Sequence, residues 1–309
     1  MLRKRALGAT GLEVSEIGLG TWGLGGAYGA LAESVGRATI EAALEAGVTT
    51  FDCAPLWGRG AVESWVGEVV KDKRDQVQLV TRGGAIWDDE GVHHRFTSEA
   101  LRADCEGSLK RLQTDRIDVF LLHDPAEEML YRDDTVPTVK ALKSEGKVRA
   151  WGVSTTDVSV ARMALSRGAE VLCLPYNLIW SGLVHELETE LSLSKVGLLA
   201  RSPLMHGLLS GRWTEYRQFA DDDHRRARWT HKALTVRVRE VNPLRFLVKD
   251  EVRSMTSAAM RYVLASSAVS CALLGARRPV QIANVVDLAG TAPYLPPEDL
   301  ERVAQLVKP

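Results

Sequence analysis

The 309-residue sequence predicts an α/β protein closed as a (β/α)8 TIM barrel. Three observations predict it. Short β-branched apolar runs alternate with helical patterns of about a dozen residues, the alternation of βα units around a parallel sheet. Eight such runs occur, the count that a closed parallel barrel needs. No linker rich in Pro, Gly or Ser interrupts them, so one domain over 1–309 is expected. A doubly wound open sheet is the alternative for the same alternation.

In chain order, "RALGATGLEVSEIGLG" (5–20) reads as an opening β-hairpin at the barrel floor that leads into the first barrel strand. The strands are expected at "EIGLGTW" (16–22), "TTFDCA" (49–54), "VQLVTRG" (77–83) and "IDVFLLHD" (117–124), then "VRAWGVST" (148–155), "VLCLPYN" (171–177), "GLLARSPL" (197–204) and "SCALLGA" (270–276). Amphipathic helices such as "GRATIEAALEAG", "SEALRADCEGSLKRL" and "TSAAMRYVLASS" lie between them. The segment 205–250 holds the run "DDDHRRARWTHK", too polar for core. It reads as a solvated loop, with a lid over the active face as the alternative.

Composition bounds the function. At 45% hydrophobic and 26% charged the chain can bury one sizeable core. A formal net charge of −1, from 39 basic and 40 acidic side chains, gives no reason to expect nucleic acid or an anionic membrane. A small neutral or anionic molecule is the expected partner; the oligomeric state is left open. Cys53, Cys105, Cys173 and Cys271 show no C-x-x-C pairing and read as free thiols of a cytoplasmic protein. The N-terminal "MLRKRALGATGLEV" has no apolar signal core, and no run approaches the roughly 18 apolar residues of a membrane span. His93 and His94 in "GVHHRF" have no Cys or carboxylate at ligand spacing; they read as surface-loop residues, and no metal is expected.

In such a barrel the chemistry sits at the C-terminal ends of the strands. Asp52 ends the second strand, Trp57 lies on the loop after it, Arg82 ends the third and His123 the fourth. A buried carboxylate and guanidinium are costly unless paired, so an Asp52–Arg82 ion pair is expected. Alternation along the strand turns Cys53 away from the site, into packing. Trp22 and Trp87, on the first and third strand-end loops, are candidates for an apolar substrate wall, with aromatic core filling as the alternative.

The stretches "LGATGLEVSEIGLGTWGLGG" (7–26), "FDCAPLWGRGAVESWVGEVV" (51–70), "VTRGGAIWDDEG" (80–91) and "DRIDVFLLHDP" (115–125) are followed by "GKVRAWGVST" (146–155), "LPYNL" (174–178), "SPLMHGLLSGR" (202–212) and "LLGARRPVQIANV" (273–285). In this order they resemble an aldo-keto reductase of the bacterial type with a short C-terminus, over nearly the whole chain. The resemblance implies four catalytic positions: an Asp, a Tyr five residues later, a Lys ending strand three and a His ending strand four. Here they read Asp52, Trp57, Arg82 and His123. It also implies an NADP(H) site. At the nicotinamide end Ser154 is kept, but Thr155, Cys173 and Arg201 stand where Asn, Gln and a stacking Tyr are usual. At the phosphate and adenine end Ser202, Leu204, Gly207, Gly275, Arg277, Arg278 and Gln281 are kept, while Asn284 and Val285 replace a Glu-Asn pair.

The family's Tyr is the acid that protonates the carbonyl oxygen as hydride arrives from NADPH, and an indole N–H has no proton to give in that range. Arg82 is a better anion clamp than a proton shuttle. Loss at the proton donor and at the nicotinamide contacts together favours non-redox acid–base chemistry on a small carbonyl or hydroxyl metabolite: dehydration, isomerisation or cyclisation. In that reading His123 carries the proton and Arg82 stabilises an enolate. An atypical NADPH-dependent carbonyl reductase is the alternative, and a non-catalytic cofactor or metabolite sensor the third.

Overall fold

The structure, a computed structural model, describes residues 2–88 and 91–307. Its strands, in chain order, are β1 (Lys4–Ala6), β2 (Glu13–Ser15), β3 (Ile17–Gly20), β4 (Thr50–Asp52), β5 (Gln78–Gly83) and β6 (Ala85–Asp88). They continue as β7 (Gly91–His94), β8 (Ile117–His123), β9 (Val148–Ser154), β10 (Val171–Pro175), β11 (Gly197–Arg201) and β12 (Val269–Gly275). Eight of them, β3, β4, β5 and β8 to β12, form a closed barrel. All pairs are parallel, and the ring closes where Leu273 and Leu274 of β12 lie opposite Gly18 and Leu19 of β3. That closing ladder removes the open-sheet alternative.

Side chains alternate across the barrel wall with the period of two that a strand imposes. On β8, Val119 and Leu121 enter the interior with Val80, Ala150, Val171, Leu199 and Leu273. Phe120 and Leu122 face outward into the layer between strands and helices, with Phe51, Leu79 and Trp151. The antiparallel β1–β2 hairpin supplies Leu7, Leu12 and Val14 to the interior cluster, so it fills the floor as expected. Gly8 sits there at φ +55°, and a Cβ on it would stand 2.4 Å from the Gly197 backbone nitrogen.

Two expectations need correction. The stretch read as a loop around His93 and His94 is an antiparallel β6–β7 hairpin, with Ile86 opposite His93 and Ala85 opposite His94. The segment 205–250 is helical in part, while most of the polar run 221–232 is solvent-exposed as expected. It contains helices at Arg225–Arg228 and His231–Val241, and it buries Trp213, Asp223 and Trp229. Two of its charges go inside because they are paired: Arg225 makes a forked contact to the buried Asp223 and lies over the rings of Tyr28, Trp213 and Phe219. Pairing of this kind is invisible to a hydropathy reading.

Candidate active site

The strand register sets Asp52 level with Gly20 and with Val80, so Arg82 stands two residues beyond it towards the barrel mouth. The guanidinium folds back onto the carboxylate in a forked contact, 2.6 Å from Nη1 to Oδ1 and 3.2 Å from Nη2 to Oδ2. Nη1 also donates to the Cys53 carbonyl at 2.7 Å, and Nη2 reaches Cys173 Sγ at 3.5 Å. Both residues are buried, at 3% and 2% exposure, so this is a desolvated pair held by added hydrogen bonds. Burial pushes the Asp52 carboxyl above its ordinary value, with Arg82 pulling the other way. For Arg82, burial works to lower the guanidinium, but Asp52 and Cys173 together hold it above its ordinary value.

The half-buried Trp57 lies against this pair with its ring 4.8 Å from the guanidinium carbon, a cation–π contact. Its loop is held by a run of left-handed residues, Gly58 at φ 61° and Arg59 at φ 53°. Loop 21–25 presses on it: a Cβ on Gly25 would stand 2.6 Å from Gly58 N and 2.8 Å from the Trp57 carbonyl carbon. The indole N–H has no hydrogen-bond partner among the described residues.

His123, at the end of β8, is held well below the ordinary imidazole range by burial first, then by the charge of Arg82, with His94 and Arg201 adding to it. Its Nδ1 is buried with no hydrogen-bond partner among the described residues. At neutral pH it is an uncharged imidazole, a donor or acceptor of hydrogen bonds and a weak base.

These four residues open into one cavity of about 1140 Å³. Ser154, Arg201, Ser202, Leu204 and Gly207 line it on one side, and Gly275, Arg277, Arg278, Gln281 and Asn284 on another. Trp22 and Trp87 line it as well: Trp22 packs edge-on against Tyr28 and His206, and Trp87 is 52% exposed. The sequence reading missed the contribution of Tyr28, His206, Arg225 and Arg228 to this lining. The signal was the cationic run 224–228, dense in groups that need partners.

Several of the expected site residues are engaged by other parts of the chain. Thr155 and Cys173 are buried and outside the cavity lining. Thr155 Oγ1 accepts from the Asp157 N–H in a turn, and Cys173 packs in the barrel interior. Arg277 donates to the Tyr28 and Gly29 carbonyls at 2.7 Å and to that of Ala30, and so straps loop 28–30. Gln281 Oε1 accepts the N–H groups of Arg277 and Arg278 at the start of the helix Pro279–Leu288, which occupies amides a phosphate would use. Arg82 is no free clamp, because Asp52 already takes its fork.

The Aldo/keto reductase family pattern matches residues 16–308. The chain belongs to the aldo/keto reductase family. It is similar to Aldo-keto reductase YhdN of Bacillus subtilis, 34% identical over 91% of this chain and 87% of that one. It is also similar to the NADH-specific methylglyoxal reductase of Escherichia coli, 30% identical over 68% and 70%. Among solved structures, the holo form of aldo-keto reductase AKR11C1 from Bacillus halodurans superposes with TM-score 0.85 at 27% identity, covering 100% of this chain and 97% of that one. Glycerol dehydrogenase AKR11B4 from Gluconobacter oxydans gives TM-score 0.85 at 26% identity over 98% and 94%. Within an aldo/keto reductase fold, then, the barrel mouth carries an indole and a guanidinium. Among the described residues no helix is long and apolar enough to cross a membrane, and among them no group of three or more His, Cys, Asp or Glu could hold a metal ion.

Proposed function

We propose that the protein is a nicotinamide-dinucleotide-dependent carbonyl reductase whose carbonyl oxygen is held by neutral hydrogen-bond donors rather than protonated by a phenol. The observation that carries this is the continuity of the cavity, which runs without interruption from Asp52, Trp57, Arg82 and His123 to Gly275, Arg278 and Asn284. About 1140 Å³ exceeds the usual upper range of small-ligand pockets, roughly 1,000 Å³, and suits an extended ligand beside a small substrate. A dinucleotide fits the lining. Gly275 leaves open space where a Cβ would stand, Ser154 presents a buried hydroxyl, and Arg278 is exposed with no carboxylate partner among the described residues. Ser154, Ser202, Leu204 and Gly207 would hold one end, and Arg278 and Asn284 the other. A bound reduced nicotinamide supplies the hydride.

The chain's residues then do three things. Asp52 and Arg82 form a fixed, mutually neutralised floor. Trp57, stacked on that floor, offers its N–H into the cavity, and His123 offers a neutral imidazole N–H. These two donors stabilise negative charge as it develops on the substrate oxygen, an oxyanion-hole role that needs no titration. The proton that completes the alcohol comes from solvent through the open mouth.

The non-redox reading loses support on the same residues. It needs His123 as a base near neutrality, and burial with Arg82 pushes the imidazole the other way. It also needs Arg82 free for an enolate, and Asp52 engages it. The test is to titrate the protein with NADPH and NADH and to follow nicotinamide oxidation with a panel of small aldehydes and ketones, methylglyoxal included because of the E. coli relative's name. Saturable binding and substrate-dependent oxidation are expected. Binding without turnover of any carbonyl would favour the sensor, and a product formed with no change in the nicotinamide would restore the non-redox reading.

A further inference from the structure

The cations of the cavity are unevenly matched. Arg82 is neutralised by Asp52, Arg225 by Asp223, and Arg277 is engaged by three carbonyls. Arg201 and Arg228 are different. Both line the cavity, and neither has a carboxylate partner among the described residues. Arg201 ends β11, and its Nε is buried with no hydrogen-bond partner. Arg228 closes the short helix of the folded-over segment and lies over the Trp180 ring, 5.5 Å from its centroid. Asn177 donates to the Ser202 carbonyl, next to Arg201, at 3.0 Å and accepts the Trp180 N–H at 2.9 Å, which ties the end of β11 to the segment whose ring lies under Arg228. Burial lowers the Arg228 guanidinium, with Tyr28 opposing and Arg201 adding to the shift.

Their neighbours offer no anion. Tyr28 is pushed up to about 12, chiefly by burial, and stays a neutral phenol. His206 is pushed down to about 3 by burial and by Arg228, and stays a neutral imidazole. Arg201 is also the one arginine besides Arg82 whose charge reaches Asp52, Cys173 and His123. Arg212, Arg217 and Arg278 also line the cavity and are exposed, as Arg228 is, but of these four only Arg228 lies over Trp180. Two guanidinium groups without a carboxylate partner among the described residues, lining the same cavity as the four-residue cluster, suit forked recognition of an oxyanion.

We propose that Arg201 and Arg228 form an oxyanion seat in the cavity that holds Trp57 and His123, and that the substrate is a small carbonyl compound bearing a carboxylate or phosphate group. The word substrate rests on the reductase reading; the anion seat itself does not.

The test is therefore direct binding. The protein is titrated with inorganic phosphate and with malonate at low ionic strength, by calorimetry and by tryptophan fluorescence, Trp180 and Trp22 being beside the seat. Each titration is run with and without saturating NADP⁺. Saturable binding of at least one anion is expected, and the tighter of the two identifies phosphate or carboxylate as the group. Arg228→Gln and Arg201→Gln should each weaken it about tenfold to a hundredfold. Arg201→Lys keeps the charge and should weaken it less, which covers the case that Arg201→Gln misfolds. Absence of saturable binding by either anion at millimolar concentration would overturn the seat. So would loss of binding in Arg278→Gln with retention in Arg201→Gln and Arg228→Gln, which would put the anion at the dinucleotide end. Displacement of the anion by NADP⁺ would overturn its assignment to the substrate. If the anion binds at Arg201 and Arg228 while NADPH and NADH neither bind nor are oxidised, the reductase reading fails and the seat stands.

Discussion

At the scale of single residues, the site is a buried ion pair with two neutral donors set on it. Arg82 is large, 2% exposed and paired in a fork, so its removal strands the Asp52 carboxylate in the barrel. Arg82→Met is expected to cost about 3–5 kcal/mol in urea unfolding, and adding Asp52→Leu should recover most of it, because replacing both partners removes the desolvated charge. A single-variant loss that the double variant does not relieve would mean that Arg82 is needed for packing rather than pairing. The two donors separate by kinetics. His123→Asn should lower kcat/KM about a hundredfold or more, as for other oxyanion donors, whereas Trp57→Phe keeps a ring on Arg82 and should cost about three- to tenfold. The pH profile gives an independent reading. His123 is held well below the usual imidazole range, so kcat/KM should be flat across neutral pH; a fall with an apparent pKa near 6.5 would make His123 a titrating acid or base.

At the scale of elements, the loops after β3 and β4 are locked together and the hairpin closes the floor. Gly25 meets the Trp57–Gly58 backbone so closely that any side chain must move one loop. Gly25→Ala is expected to cost about 1–3 kcal/mol of stability, as overpacking does, and to lower kcat/KM by shifting Trp57. Intact activity with intact stability would mean the loops are not in contact in solution. At the other end Leu7 is fully buried, and a Cβ on Gly197 would stand 2.6 Å from its Cδ1. Leu7→Ala should cost about 2–5 kcal/mol, measured by the shift of the urea midpoint, without changing KM, since the floor lies away from the mouth.

At the scale of the whole molecule, the imidazoles link stability to acidity. His123 lies well below its ordinary value, and burial pushes His206 down to about 3 and His224 to about 4. An unfolded imidazole takes up a proton near pH 6.5, while these stay neutral in the folded state. Their contribution is therefore present above about pH 6.5 and is lost as the pH falls, towards about 4 for His224 and about 3 for His206. The limit is about 1.4 kcal/mol per pH unit for each fully buried imidazole, less for the half-buried His224. His206 occupies a left-handed conformation, φ 56°, which Asn tolerates. His206→Asn should unfold with a shallower dependence on pH between 6 and 4 than the parent; parallel curves would show that His206 titrates freely in the folded state.

The sequence by itself determined the barrel and the identity of its mouth. Near-continuous apolar runs such as "IDVFLLHD" suit strands covered on both faces of a parallel sheet, and the bounds of all eight strands lie within a few residues of the stretches that predict them. Strand ends named Asp52, Arg82 and His123, and the demand that buried charges be paired named the ion pair before any coordinate did. Only the tertiary structure decided what those groups are free to do. Arg82 looked like an anion clamp until its fork was seen on Asp52, and His123 looked like a neutral-pH titrator until burial and Arg82 were placed around it. The resemblance implies cofactor contacts at the positions of Thr155 and Cys173, and in the structure one closes a turn and the other packs inside the barrel. The run 221–232 was the hardest stretch to read. Its polarity suggests solvent, but Asp223 neutralises Arg225, aromatic rings cover it, and Arg228 lines the same cavity as Arg201. Local patterning reports which residues must be buried or exposed on average; the partner that makes a charge silent or leaves it available comes from a distant part of the chain, and only folding brings the two together.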